Sequence, residues 1–169
     1  MAQSAWRAVY CKAREERRAE AHLENQGFEV FLPRVRTRWR RHGHSSVRVE
    51  PMFPRYLFVS LAAFEDDWST IRSTRGVIGL VRFGDQFPVV PNDFVAALRD
   101  KHATAGAVDI TGVQEMKPDD PVEITDGALA GMRAVFRASS GKERVIVLMS
   151  LLNREKEIEV PRDCVRKVV

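Results

Sequence analysis

Cysteine is scarce. The 169 residues hold two, Cys11 and Cys164, too far apart and too few to staple a fold. Each sits in an apolar alternation, so reduced, buried thiols are expected rather than a disulfide. No apolar run approaches the roughly 20 residues that cross a bilayer, and the N-terminus lacks the charged-then-apolar layout of a signal peptide. A soluble, cytoplasmic, monomeric protein is expected. Catalytic groupings are missing too. No serine has a base and orienting group at a usable spacing, and no glycine-rich run leads into Lys-Ser or Lys-Thr to cradle a phosphate. His42 and His44 have no cysteine or carboxylate at metal-ligand spacing. These absences point away from an enzyme, and no metal or cofactor is expected.

Acidic residues are also missing from one stretch. Between Glu29 and Glu50, RVRTRWRRHGHSSVR carries Arg34, Arg36, Arg38, Arg40, Arg41 and Arg48 with no acid among them. The net charge of +4 is therefore concentrated: residues 1–58 have twelve Lys/Arg against six Asp/Glu, and residues 118–169 have nine against nine. Such a segment is either a solvated hairpin or a nucleic-acid-facing surface.

The pattern of the first hundred residues is α+β. Ala5 to Cys11 reads as a strand, about Arg14 to Gln26 as a helix stopped by Gly27, and Phe28 to Leu32 as a second apolar run. An arginine-rich hairpin with its tip at Gly43 to Ser46 follows, then the strand Tyr56 to Leu61. A helix at about 64–73, a strand at Val77 to Phe83 and a helix at about 91–102 complete a mainly antiparallel sheet with flanking helices. The expected organisation is a domain over 1–103, a linker over 104–117 and a small module over 118–169.

That module reads two ways. Five short strands (122–125, 132–138, 144–150, 157–160 and 164–168) separated by turn signals suggest a small β-barrel. Yet KERVIVLMSLLNREKEIEV, residues 142–160, has no glycine or proline and fits helical spacing as well as period two. The β-branched run Val145-Ile146-Val147 favours a strand, and the uninterrupted length favours a helix.

Three stretches, WRAVYCKAREERRAEAHLENQGFEVFLPRVR, EPMFPRYLFV and STRGVIGLVRFGDQFPVVP, resemble the N-terminal domain of the NusG family of transcription elongation factors. VEITDGALAGMRAVF looks like that family's C-terminal KOW barrel. Within the family the likeness is closest to the RfaH-type, operon-specific antitermination branch. It rests on the YCK start, the HLENQ helix end, the TRGV-to-VRFG stretch and SGKERVIVLMSLLNRE.

The resemblance implies an antitermination factor that sits on the clamp helices of the largest RNA polymerase subunit and suppresses pausing and termination. Phe53, Tyr56 and Phe58 would supply the apolar contact, Tyr56 being the better interface residue and Phe58 equally readable as core. Lys12, Arg18, His22, Gln26, Thr74 and Arg75 match the positions that touch the exposed non-template DNA strand. Single-strand recognition wants cations for phosphates and planar groups against bases. The family branch carries a His-Thr-Thr run that reaches the polymerase's other pincer. Here the aligned residues are Asp67, Trp68 and Ser69, followed by Thr70, so only the hydroxyls of Ser69 and Thr70 remain for that contact.

In the RfaH-type branch the C-terminal module is a helical hairpin when closed on the N-terminal domain and a five-stranded barrel when released, where it engages a small-subunit ribosomal protein and couples translation to transcription. The resemblance implies the same here. Phe136, Leu148 and Leu98 would then meet at the interdomain face, and Glu50 would pair with Arg144. The alternative is a general NusG-like factor, or another paralogue, with a permanent barrel.

Overall fold

The computed structural model describes residues 3–62, 68–103, 106–109, 134–135, 138 and 140–153. The first strand, β1 (Ser4–Cys11), is the hub of the main sheet. It pairs antiparallel with β5 (Tyr56–Ala62), β6 (Val77–Leu80) and β7 (Val89–Val90), while β2 (Glu29–Phe31) pairs with the far edge of β5. Successive side chains of a strand point to opposite faces, and the sequence loads both faces. Val9 and Cys11 of β1, with Leu57, Val59 and Leu61 of β5, pack against Ala19 and Leu23 of α1 (Glu16–Asn25). Trp6 and Ala8, with Phe58, fall in the opposite cluster with Phe94, Val95 and Leu98 of α3 (Asn92–Ala103). A central strand buried on both sides explains why AWRAVYC reads as a nearly continuous apolar run.

A second sheet is built from β3 (Arg34–Arg41) and β4 (His44–Pro51), an antiparallel hairpin that turns at His42 and Gly43. Both turn residues have positive φ, 52° and 78°, as two-residue hairpin turns of the primed type require. Its other neighbour differs from expectation. The segment expected to be linker contributes β8 (Val108–Asp109), which runs parallel to β3 through Val35 and Arg36. Ala107 and Val108 are buried there, and that burial accounts for the order.

Several boundaries shift for local reasons. The first helix starts at Glu16 rather than near Arg14, because Arg14 holds φ at 63° and cannot be helical. The strand expected over Val77 to Phe83 ends at Leu80, and Phe83 and Gln86 close a tight turn around Gly84. Of the helix expected over 64–73, α2 spans Ser69–Arg72, and residues 63–67 lie outside the described residues.

In the C-terminal segment, Gly141–Leu152 is a helix, α4, so the strand expected over 144–150 is not the form present in this structure. Ser140 caps it: its hydroxyl accepts a hydrogen bond from the Glu143 amide at 3.2 Å, satisfying one of the free donors of the first turn. Ala134 and Val135 are helical as well. The strands expected over 122–125, 157–160 and 164–168 lie outside the described residues.

Candidate functional site

One face of the main sheet carries an apolar surface, and α4 covers it. Phe53, Phe58 and Phe94 form a mutual aromatic cluster with ring centroids 5.8–6.5 Å apart, and Val95 and Leu98 extend it along α3. Val147, Leu148, Leu151 and Leu152 of α4 are buried in the same cluster. Phe53, Phe58, Leu98 and Leu148 have no exposed surface; with α4 in place, neither phenylalanine reaches solvent. Phe136 lies outside the described residues.

The start of α4 is held by polar contacts. Arg144 is wholly buried, donates from Nε to the Met52 carbonyl at 2.7 Å and from Nη2 to Glu50 Oε1 at 3.0 Å, and leaves Nη1 unpartnered. Burial pulls its pKa down and Glu50 pulls it back up, the signature of a cation held by geometry rather than by solvation. Gly141 approaches Pro54 so closely that a β-carbon there would stand 2.6 Å from Pro54 Cγ, a contact that only glycine allows.

Tyr56 stands at the edge of this surface, half-buried, where burial pushes its phenol pKa up. Its position depends on a turn that sequence reading missed. The Tyr56 amide donates to the Phe53 carbonyl at 2.9 Å, with Pro54 and then Arg55 between them. Arg55 holds φ at 73°, the place where a type II turn usually has glycine. Such a conformation costs about 1–2 kcal/mol for a side chain with a β-carbon. Compensation is local: the Arg55 amide donates to Glu16, its Nε donates to the Cys11 carbonyl, and its guanidinium lies 4.4 Å from the centre of the Tyr10 ring. Tyr10 in turn meets Tyr56 at 5.1 Å. Proline at the second turn position was the available signal, and the positive φ of an arginine was not.

Around α1, the structure assembles a polar patch. The Lys12 amide donates to the Gly76 carbonyl at 2.8 Å. At the far end of the helix, Gln26 Nε2 donates to Thr74 Oγ1 at 2.7 Å, and Thr74 donates onward to the Thr70 carbonyl. Gly76, at φ 85°, lies against the first turn of α1: a β-carbon would meet the Ala19 nitrogen at 2.9 Å and the Glu15 oxygen at 3.0 Å. This close approach brings Thr74 and Arg75 to the helix. Lys12, Arg18, Gln26 and Arg75 are exposed, His22 is half-buried and Thr74 is buried. Arg18 is also tied to Glu15 at 2.7 Å, so part of its charge is answered within the helix. Ser69 and Thr70 are exposed at the start of α2, beside Trp68. That ring packs edge-on against Phe87, and the Arg7 guanidinium lies 5.5 Å from its centre. Asp67 lies outside the described residues.

An apolar face closed by a helix thus lies on one side of the main sheet, and a patch with exposed Lys12, Arg18 and Arg75 lies on the α1 side. No cluster of three metal-ligating side chains occurs among the described residues. The family model described as "Transcription termination factor nusG" matches residues 4–99, more than half of the chain, and the chain belongs to the NusG family of transcription factors. It is not an enzyme. It is 24% identical over 155 residues to the transcription termination/antitermination protein NusG of Bacillus subtilis (strain 168), across 88% of this chain and 85% of that protein. A solved structure described as "Domain interaction in Thermotoga maritima NusG" is similar at 23% identity and a TM-score of 0.38, over 72% of this chain and 66% of that one. The Bacillus subtilis relative is named as NusG, not as a member of the RfaH-type branch that the sequence resembles.

Proposed function

We propose that this protein is a NusG-like transcription elongation and antitermination factor that docks on RNA polymerase through the apolar face around Tyr56. Its α1 patch would meet the exposed non-template DNA strand. The observation that carries the reading is the pairing of these two surfaces on one sheet within a NusG-family domain. Apolar area of this kind is stable in water only when covered, and Tyr56 at its edge is the residue type enriched at interfaces. Lys12, Arg18, His22, Gln26, Thr74 and Arg75 gather at α1, where cations and hydrogen-bonding groups suit phosphates and splayed bases. Ser69 and Thr70 are a second point of polymerase contact.

One observation favours the more specialised, operon-specific reading: α4 occupies the docking face, with Arg144 on Glu50 and Leu148 in the aromatic cluster. On that reading the free protein is autoinhibited, and a specific non-template element is needed to release the C-terminal segment. The released module would then take the barrel form and bind a small-subunit ribosomal protein. Binding of the full chain to purified elongation complexes, with and without unpaired non-template DNA, separates the two. A general factor binds both, gaining from the strand only what the α1 contacts add, and Leu148→Glu leaves that gain unchanged. An autoinhibited one binds the complex lacking the strand at least tenfold more weakly, and Leu148→Glu raises its binding there. If neither complex binds the chain, and Leu148→Glu does not change that, the docking-face assignment is wrong.

A further inference from the structure

The β3–β4 hairpin adjoins the docking face at its base, through Val35 and Glu50. With eight residues in each strand at about 3.4 Å per residue, it is on the order of 27 Å long. Its base is anchored by β8 and by the Arg34–Glu20 ion pair at 2.9 Å. Beyond Thr37 the ribbon is exposed on both strands.

Residues opposite each other in an antiparallel pair share a face. The register therefore places Arg36, Arg38 and Arg40 with Val49, Val47 and Ser45 on one face, and Trp39, Arg41, Arg48 and His44 on the other. Three arginines at every second position are spaced about 7 Å apart. Among the described residues, none of Arg36, Arg38, Arg40, Arg41 and Arg48 forms an ion pair, whereas Arg18, Arg34, Arg99 and Arg144 each have a carboxylate. Arg48 lies 4.8 Å from the centre of the Trp39 ring. Trp39 itself is 44% exposed, so the stack displays a guanidinium and occupies one side of the ring.

Unanswered cations on both faces of a projecting ribbon suit a ligand that presents phosphates on both sides. A protein partner would meet one face. A single strand would want the flat side of Trp39 for stacking, and Arg48 is already there. The major groove of duplex DNA, about 12 Å wide, admits a two-stranded β-ribbon between two rows of phosphates. We propose that the β3–β4 hairpin is a second nucleic-acid-binding element that lies in the major groove of duplex DNA, with Arg36, Arg38 and Arg40 neutralising phosphates. Val47 and Val49, 53% and 43% exposed, sit between them as apolar contacts. This element is separate from the α1 patch and does not depend on how that patch reads single strands.

The test uses the full chain and a fully paired DNA duplex of mixed sequence, without polymerase and without unpaired bases, so its failure leaves the α1 and docking-face readings untouched. Each neutralised phosphate contributes about 0.9 to the salt slope of binding to duplex DNA. Replacing Arg36, Arg38 and Arg40 together by alanine should therefore make the slope shallower by about 2.7. Between about 50 and about 200 mM salt, the natural chain should lose about 40-fold more affinity than the variant. The matching triple lysine variant keeps the charge and should retain most of the slope. An unchanged slope in the alanine variant overturns the proposal. So does an equal loss on a single strand of the same length, which would mark a single-strand site.

Discussion

The buried guanidinium of Arg144 meets the Glu50 carboxylate at 3.0 Å across 94 residues of sequence, and Glu50 keeps 29% of its side chain in solvent. The pair is thus asymmetric, with one partner desolvated and the other partly screened. Removing the screened partner leaves a buried cation with the Met52 carbonyl as its remaining acceptor.

Glu50→Gln should therefore weaken the docking of α4 by about 1–3 kcal/mol, below the range for a fully buried pair because Glu50 is partly solvated. Arg144→Met removes the buried charge along with the pair and should cost less. Amide hydrogen exchange within α4 measures both: protection should fall on the order of tenfold to a hundredfold in Glu50→Gln and less in Arg144→Met. The reverse order would mean that packing of the arginine stem, rather than its charge, holds the helix.

Gly76→Ala puts a methyl group against the backbone of α1 and imposes a β-carbon on a left-handed φ. The expected loss is about 2 kcal/mol, or roughly 4–8 °C in thermal midpoint for a chain of this size. Because Gly76 holds Thr74 and Arg75 at the helix, binding of single-stranded DNA should weaken in parallel. A variant with the full thermal loss and unchanged single-strand binding would separate Arg75 from the patch.

His102 sits edge-on to Phe31, ring centroids 5.4 Å apart, with its Nε2 buried and unpartnered. Burial, with Arg34 adding to it, lowers its pKa from the ordinary 6.5. The folded state thus disfavours the protonated ring. Above pH 6.5 the contribution to stability is complete; as pH falls from 6.5 toward the lowered value, the unfolded chain takes up a proton that the folded chain resists, and stability is lost. Urea midpoints at about pH 7.5 and about pH 5 should differ less in His102→Leu than in the natural chain. Equal differences would mean that other groups carry the acid sensitivity.

The Cys11 thiol, fully buried beneath α1, has its pKa pushed up to about 12, first by burial and then by Glu16. The thiolate is the reactive form. In a Cys164→Ser background, alkylation of the native protein near pH 8 should be on the order of a thousandfold slower than that of the denatured chain. Rapid native alkylation would show that β1 opens locally at this end.

Much of the region that matches the NusG family is legible from side-chain period alone. Strands β1 and β5 and helices α1 and α3 follow from alternation or helical spacing, because each buries a face against a neighbour that the sequence also shows. What was missed depends on distant partners. Strand β8 has two residues and exists because Val35 and Arg36 offer an open edge. Arg55 accepts a left-handed φ because Glu16, Cys11 and Tyr10 surround it. One local signal was overlooked: Ser140-Gly141-Lys142-Glu143 has the S-x-x-E spacing of a helix start, and it marks the N-terminus of α4. The polar patch illustrates the same division. Its residue types were visible in the sequence, whereas Gln26 on Thr74 and Gly76 against α1 required the fold.

By itself, the sequence determined that residues 142–152 would bury apolar side chains, and it left their period undecided. In a strand, Val147, Met149 and Leu151 would share one face, with Arg144, Leu148 and Leu152 on the other. The buried set is Arg144, Val147, Leu148, Leu151 and Leu152, which spans both faces of a strand but only one side of a helix. The surface formed by Phe53, Phe94 and Leu98, with Glu50 and the Met52 carbonyl at its rim, makes that choice. Local propensity was nearly balanced, and burial against one particular surface outweighs it.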